Sequence, residues 1–482
     1  MLYYLLDWLD TMYNVPGFGV FKYITFRAIL SIIFSLIISL LIGRRIIDML
    51  RRRLIGEVVR DAKEGPDHGH KKGTPTMGGI ILLSAVVVPT LLWGDLENGY
   101  VWLILVGTVW MGLIGFIDDY IKVFKKDKRG LKGKFKLAGQ ILLGLMVGLV
   151  MLFHPDFRGS RAHLTQLNIV KADRILQQVG FRTGDELIKV NGETFTEISG
   201  SLSYDDLALY RVKRTEKDSS QQEITSEVEI LVPQEQRKTV GGELFGPRDR
   251  SFIYTTDFPF FKKYVFDYSK VWFLEGVVDE FVLGRVIYLL MVIFIVTAVS
   301  NAVNLTDGID GLAAGTSAIV AAALGLFAYV SGNYIFSNYL HISYIPLSSE
   351  LLIFVAALVG GCLGFLWWNS YPAQVFMGDT GSLALGGAIG ILALMVKKEL
   401  LIPILCAVFF AESLSVILQV LYFKFQKARK GVEYAREHRL FRMSPLHHHY
   451  EKGGMHESKI TIRFFIVAML MAAVAFATLK LR

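Results

Sequence analysis

Ten runs of predominantly apolar residues constrain this chain more than any other feature. They lie at about 23–43, 75–93, 100–117, 137–153, 284–303, 311–331, 350–368, 381–396, 400–423 and 461–480. Most are near the roughly 20 residues that cross a bilayer core of about 30 Å as a helix. In hydrocarbon every backbone N–H and C=O must bond within the segment, so such runs are expected to be helical. Composition agrees, with 53% hydrophobic and only 20% charged residues, against about 25% charged in a soluble domain. Disordered, collagen-like, coiled-coil and disulfide-rich classes are excluded. Cys362 and Cys406 sit inside apolar runs, which leaves neither a disulfide framework nor a cysteine metal site. The expected architecture is an all-α polytopic membrane protein of about ten transmembrane helices. The first run has no small-residue cleavage site and is read as a span rather than a removed signal.

Lys and Arg in the short loops set the orientation. Arg44 to Lys72, Lys122 to Lys136 and Lys424 to Arg442 form three basic loops, after the first, third and ninth runs. Alternating spans put all three on one side, which is therefore cytoplasmic, with both termini outside. The same bias accounts for most of the +8 net charge, so no nucleic-acid partner is inferred. Membrane lipids are the expected surroundings.

Residues 154–260 interrupt this pattern between spans four and five and would lie outside the cell. The stretch is polar and long enough for a domain of about 100 residues. VGFRTGDELIKVNGETF (179–195) reads as turn, strand, turn, with Gly184-Asp185 and Asn191-Gly192 flanking an alternating run, and EVEILV (227–232) alternates again. The segment resembles a bacterial PDZ domain. Three parts are expected: spans one to four over 1–153, the β-rich insertion over 154–260 and spans five to ten over 261–482.

Polar groups at span ends are the candidates for chemistry, since ionisable side chains near hydrocarbon are costly. GFIDDYIKVFKK (115–126) ends span three with Asp118, Asp119 and, one turn on, Lys122. Adjacent carboxylates repel unless a cation, a proton or a lysine compensates. NAVNLTDGIDG (301–311) ends span five, with Asn301 and Asn304 on one face and Asp307 and Asp310 among helix-breaking glycines. Such amide and acid groups suit a sugar, a base or a metal. In WWNSYPAQVFMGDTGSLALGG (367–387), Asp379 opens a glycine-rich span. N–H groups at such a helix start suit phosphate oxygens, and a carboxylate beside phosphate implies a bridging Mg²⁺. RMSPLHHHYEKGG (442–454) holds His447, His448 and His449, which cannot all face one point on a helix. One or two could contact diphosphate or move a proton; zinc lacks an HExxH or cysteine partner here. HKKGTPTMGGI (70–80) brings Lys71, Thr74 and Thr76 to the start of span two, in an order unlike a Walker A loop.

Alternating topology places all five clusters on the cytoplasmic face and none at mid-bilayer. That pattern fits an enzyme acting on a lipid head group. A transporter or flippase would place such groups near the midplane. A membrane protease lacks the HExxH or Ser–His arrangement it would need.

Together, DDYIK, NAVNLTDGIDG, YPAQVFMGDTGSLALGG, SPLHHHYE and KKGTPTMGG closely resemble the phospho-N-acetylmuramoyl-pentapeptide transferases. These belong to the polyprenyl-phosphate sugar-1-phosphate transferases. The resemblance covers about 1–153 and 260–482, and departs at the loop 154–260, which is normally short. It implies transfer of phospho-N-acetylmuramoyl-pentapeptide from a uridine diphosphate carrier to undecaprenyl phosphate in the bacterial cytoplasmic membrane. The products would be lipid I and uridine monophosphate, with Mg²⁺ required. It implies Asp118 as the base, with Asp119 beside it, Asp379 as the Mg²⁺ ligand, and His447 at the diphosphate. Lys122, Asp310, Asn369 and Phe376 would form the uridine pocket. Lys71, Thr76, Asn301, Asn304 and Asp307 would line the rest, with His448 and His449 as further substrate contacts. A sister transferase using uridine diphosphate N-acetylglucosamine is the nearest alternative; the HHH loop argues against it. A homodimer, and an envelope protein docked on the insertion, are left open as partners.

Overall fold

The computed structural model describes residues 1–52, 73–127, 129–158 and 280–479. Between the last two it describes 167–168, 174–182, 185–191, 193–194, 208–217, 223–237, 240, 255–257 and 265–268. It divides into two compact units, one formed by Met1–Leu149 with Thr255–Arg482 and the other by Val150–Tyr254.

The larger unit is helical: α1 (Leu2–Tyr13), α2 (Ile24–Arg52), α3 (Gly79–Trp93), α4 (Gly99–Val123), α5 (Gly133–Phe153), α6 (Glu280–Thr306), α7 (Leu312–Ser331), α8 (Leu351–Asn369), α9 (Gly378–Met395), α10 (Ala407–Lys430), α11 (Leu446–Lys452) and α12 (Glu457–Ala477). Among the described residues nine helices are long and apolar enough to cross a bilayer, and α3, at 15 residues, is a shorter apolar helix. The chain is a polytopic membrane protein. Two expectations shift in detail. The ninth span begins at Ala407 rather than near 400, because Glu399–Leu401 and Ile402–Leu405 form separate short helical turns first. The amphipathic helix α1 precedes the first expected run; its terminal amine donates to the Leu91 carbonyl at 2.8 Å and Tyr4 donates to Asp95.

Helix α9 is the centre of the bundle. Of its apolar window 89% is buried, against 22% for α10, and it packs on α4, α6, α3 and α7. Its composition explains this. Lipid tails provide no hydrophobic drive between helices, so close packing at small residues holds them together. A side-chain carbon added at Gly79 would fall on the backbone of Gly381, and one at Gly115 on the carbonyl of Asp379. Glycines in α3 and α4 thus let the start of α9 settle against both.

At the other end of α9, Lys397, Lys398 and Glu399 are buried and meet the short hairpin of β6 (Thr255–Asp257) and β7 (Val265–Asp267); residues 255–257, expected in the insertion, belong to the helical unit. Lys398 pairs with Asp257, and Asp257 also accepts from the Ser343 hydroxyl at 2.6 Å. Tyr268 donates to Glu399 at 3.1 Å. Burial pushes the Lys397 ammonium down to about 7 and the Glu399 carboxyl up to about 7. Both shifts favour the neutral forms, which lowers the cost of burying them.

The smaller unit carries an antiparallel sheet ordered β1 (Leu167–Asn168), β2 (Glu186–Val190), β4 (Leu209–Lys217), β5 (Glu223–Leu231), with β3 (Glu193–Thr194) pairing β2. Leu187, Val190, Tyr210, Val212, Ile230 and Val232 point into one core with Leu176 and Phe181. The alternation in 227–232 is a buried sheet face, with Val228, Ile230 and Val232 turned inward; in 186–190 it breaks, because a register shift between Leu187 and Lys189 brings both Leu187 and Val190 into the core.

Candidate active site

Asp118 and Asp119 lie in the last two turns of α4, both buried. Asp379 lies in the first turn of α9, and one oxygen from each of the three carboxylates falls within 4.8 Å of the others. The glycine contacts described above bring them together. At Gly378 a positive φ of 73° turns the chain into α9, and an added side chain would crowd Asp119 and Thr76.

The three acids have different partners. Asp119 accepts from the Asp379 N–H at 3.1 Å, the Thr380 N–H at 2.9 Å and the Thr380 hydroxyl at 2.6 Å. It caps α9, satisfying donors that a helix start leaves free. This corrects the expectation that those N–H groups receive phosphate: the carboxylate of Asp119 already holds them. Asp118 and Asp379 instead share two lysines. Lys122 Nζ is 2.5 Å from Asp118 and 3.4 Å from Asp379. Lys136 Nζ is 2.9 Å from Asp118 and 2.5 Å from Asp379. Asp118 also accepts from the Leu131 N–H at 2.7 Å. Two cations offset a repulsion that would otherwise force a proton onto one acid. Lys122, which the resemblance placed in the uridine pocket, is thus bound into the acid cluster instead.

Around this cluster, Asn304 at the end of α6 donates to Asp379 at 3.0 Å and to Ser382 at 2.8 Å. One turn earlier, Asn301 donates to Gln140 of α5 at 2.9 Å. Asp307 is half-buried in the turn that follows α6, and Thr76 is half-buried beside Gly378. Asp310 and Asn369 tie two loops together. Asp310 accepts from the Ala373 N–H at 3.0 Å, and Asn369 accepts from the Gly311 N–H at 3.0 Å while donating to the Val375 carbonyl at 2.8 Å. Both side chains are buried, and Phe376 beside them is half-buried. Lys71 lies outside the described residues.

The three histidines meet different partners, although the His447 and His448 rings touch, with centroids 4.2 Å apart. His447 is fully buried; its Nδ1 lies 3.0 Å from Glu412 of α10, and its backbone N–H donates to the same carboxylate at 3.1 Å. His448 Nδ1 is 2.8 Å from Glu451, and His449 Nδ1 accepts from the Arg442 N–H at 3.2 Å.

Residues 71–83 match the phospho-N-acetylmuramoyl-pentapeptide-transferase signature 1, and 257–397 match glycosyl transferase family 4. A phospho-N-acetylmuramoyl-pentapeptide-transferase of Flavobacterium psychrophilum is 47% identical over 485 residues, spanning the whole of both chains. The chain belongs to this transferase family. Members of the same name from Flavobacterium johnsoniae and Bacteroides thetaiotaomicron are 46% and 42% identical, again over the full length of each chain. These matches span residues 154–260 as well, so the longer segment, though it departs from the expected short loop, is no bar to membership.

Within this transferase, two charged residues at the cluster and beneath the histidines went unread in the sequence. Lys136 sits among eight basic residues of one loop, where orientation alone accounts for a lysine. Glu412 carried a signal: it is an acid within the apolar run of α10, AVFFAESLSVILQVLYF, and such residues are costly without a role.

Proposed function

We propose that the acids between α4 and α9 are where this transferase moves phospho-N-acetylmuramoyl-pentapeptide from uridine diphosphate to undecaprenyl phosphate. The products are lipid I and uridine monophosphate. One observation carries the reading: three carboxylates and two lysines converge at the ends of apolar helices, in a chain matched end to end by transferases of that name. The donor set fits Mg²⁺, a hard cation that takes oxygen ligands. Asp379 would hold it, with oxygens of Asp118 and Asp119 within reach. Bound there, Mg²⁺ supplies charge neutralisation as a phosphate approaches a diphosphate.

The chain's own residues do the rest. Lys122 and Lys136 offset negative charge on the reacting groups. Asp118 takes the proton of the lipid phosphate, and Asp119 fixes the start of α9 so that Asp379 faces Asp118. Asn304 orients Asp379. The loops joined by Asp310 and Asn369 form the uridine pocket, with Phe376 as its stacking face. Thr76, Lys71, Asn301 and Asp307 line the approach, and His447 meets the diphosphate with His448 and His449 nearby. A route through a covalent aspartyl intermediate is disfavoured because Asn304 and Lys136 engage both oxygens of Asp379.

This site would lie on the cytoplasmic face. Purified enzyme offered uridine diphosphate N-acetylmuramoyl-pentapeptide or uridine diphosphate N-acetylglucosamine, with undecaprenyl phosphate, tests the assignment. The muramoyl lipid product is expected to dominate; preference for the N-acetylglucosamine lipid would move the chain to the sister activity.

For the insertion, the reading is a PDZ-like domain outside the cell, supported by its antiparallel sheet and alternating core. Such domains add a peptide strand at a sheet edge. Replacing 160–254 with a Gly/Ser linker is expected to leave most turnover intact. Complete loss in a folded, nucleotide-binding variant would place the insertion in catalysis.

A further inference from the structure

Glu412, which pairs with His447, has no part in the reaction as described. Glu412 is buried in the α10 span, and both its oxygens turn toward His447: Oε1 accepts the backbone N–H at 3.1 Å, and Oε2 lies 3.0 Å from Nδ1. His447 lies in the first turn of the short helix α11, so one carboxylate holds both that turn and the plane of its first imidazole. The other ring nitrogen, Nε2, is buried and has no partner among the described residues. It faces the Asp307–Asp310 turn: a side-chain carbon added at Gly308 would fall on Nε2. A buried polar atom left open next to a functional turn is where a ligand atom belongs, since such atoms are otherwise paired.

We propose that Glu412 is the positioning residue for His447. It accepts the Nδ1–H and fixes the ring orientation, so that in the imidazolium form Nε2–H is the donor presented beside Gly308 to an oxygen of the substrate diphosphate. The nitrogen that a partner occupies determines which nitrogen the histidine offers. The proposal rests on the reading that His447 meets the diphosphate, and it explains why a single acid sits in the apolar run of α10. Glu412 touches no substrate atom in this arrangement and acts only through the imidazole.

Kinetics of Glu412→Gln, His447→Gln and the double variant test this, in full-length enzyme matched for Tm and nucleotide binding. Glu412→Gln is expected to lower kcat by about 10- to 100-fold, the usual effect of losing an orienting partner. The double variant is expected to be no slower than His447→Gln alone, because residues that act as a unit are not additive. A fully active Glu412→Gln beside an impaired His447→Gln would overturn the positioning role alone, as would a double variant slowed by the product of the single effects. A fully active His447→Gln would overturn this proposal together with the assignment of His447 to the diphosphate. Should Glu412→Gln fail to fold, ¹⁵N spectra of histidine-labelled wild-type enzyme decide, with the His447 signal assigned by its loss in His447→Gln. A protonated Nδ1 is expected; a bare Nδ1 with the proton on Nε2 would overturn the proposal.

Discussion

Replacing Asp379 with asparagine is expected to lower turnover at least about 100-fold, the scale seen when a key electrostatic group leaves a transition state. The change is nearly isosteric. Asn304 and Ser382 retain their geometry at the start of α9, and Asp119 still caps the helix, so the fold has little reason to change. What disappears is one negative charge at the point where Lys122 and Lys136 meet. The remaining amide is a poor Mg²⁺ ligand, and the two lysines are left with Asp118 alone. Turnover at saturating substrates and over a wide range of Mg²⁺ concentration checks this. Full activity in the variant would remove Asp379 from the metal site.

Asp118→Asn is expected to reduce turnover by roughly 100- to 10,000-fold, the range of general-base contributions, while nucleotide affinity survives. Asp118 is buried at the end of α4 and faces the lysines and Asp379, whereas the loops assigned to the uridine are joined by Asp310 and Asn369. A proton-accepting role therefore separates from nucleotide binding. Parallel measurement of kcat and nucleotide Kd distinguishes them. A collapse of affinity with little change in turnover would make Asp118 a binding residue.

The helical architecture was legible because it follows from the length of apolar runs, a property each segment carries by itself. The acid cluster was legible for a related reason: Asp118, Asp119 and Asp379 each end an apolar run, where a carboxylate is costly. What each acid does was less so. Asp119 caps α9 only because Gly79 and Gly115 admit the start of that helix, a contact between segments more than 250 residues apart in sequence. Lys136 was hidden by its basic neighbours. Helix α1 escaped because its 12 residues include two aspartates and form no long apolar run. In the insertion, alternation identified strands that pair locally, and the sheet order emerges only once β4 lies between β2 and β5.

The most direct test is release of uridine monophosphate by purified enzyme from uridine diphosphate N-acetylmuramoyl-pentapeptide, with undecaprenyl phosphate and Mg²⁺, omitting each component in turn. The complete mixture should yield uridine monophosphate and lipid I in equal amounts, and each omission should abolish both. A folded, nucleotide-binding enzyme that releases no uridine monophosphate from the complete mixture would contradict the account.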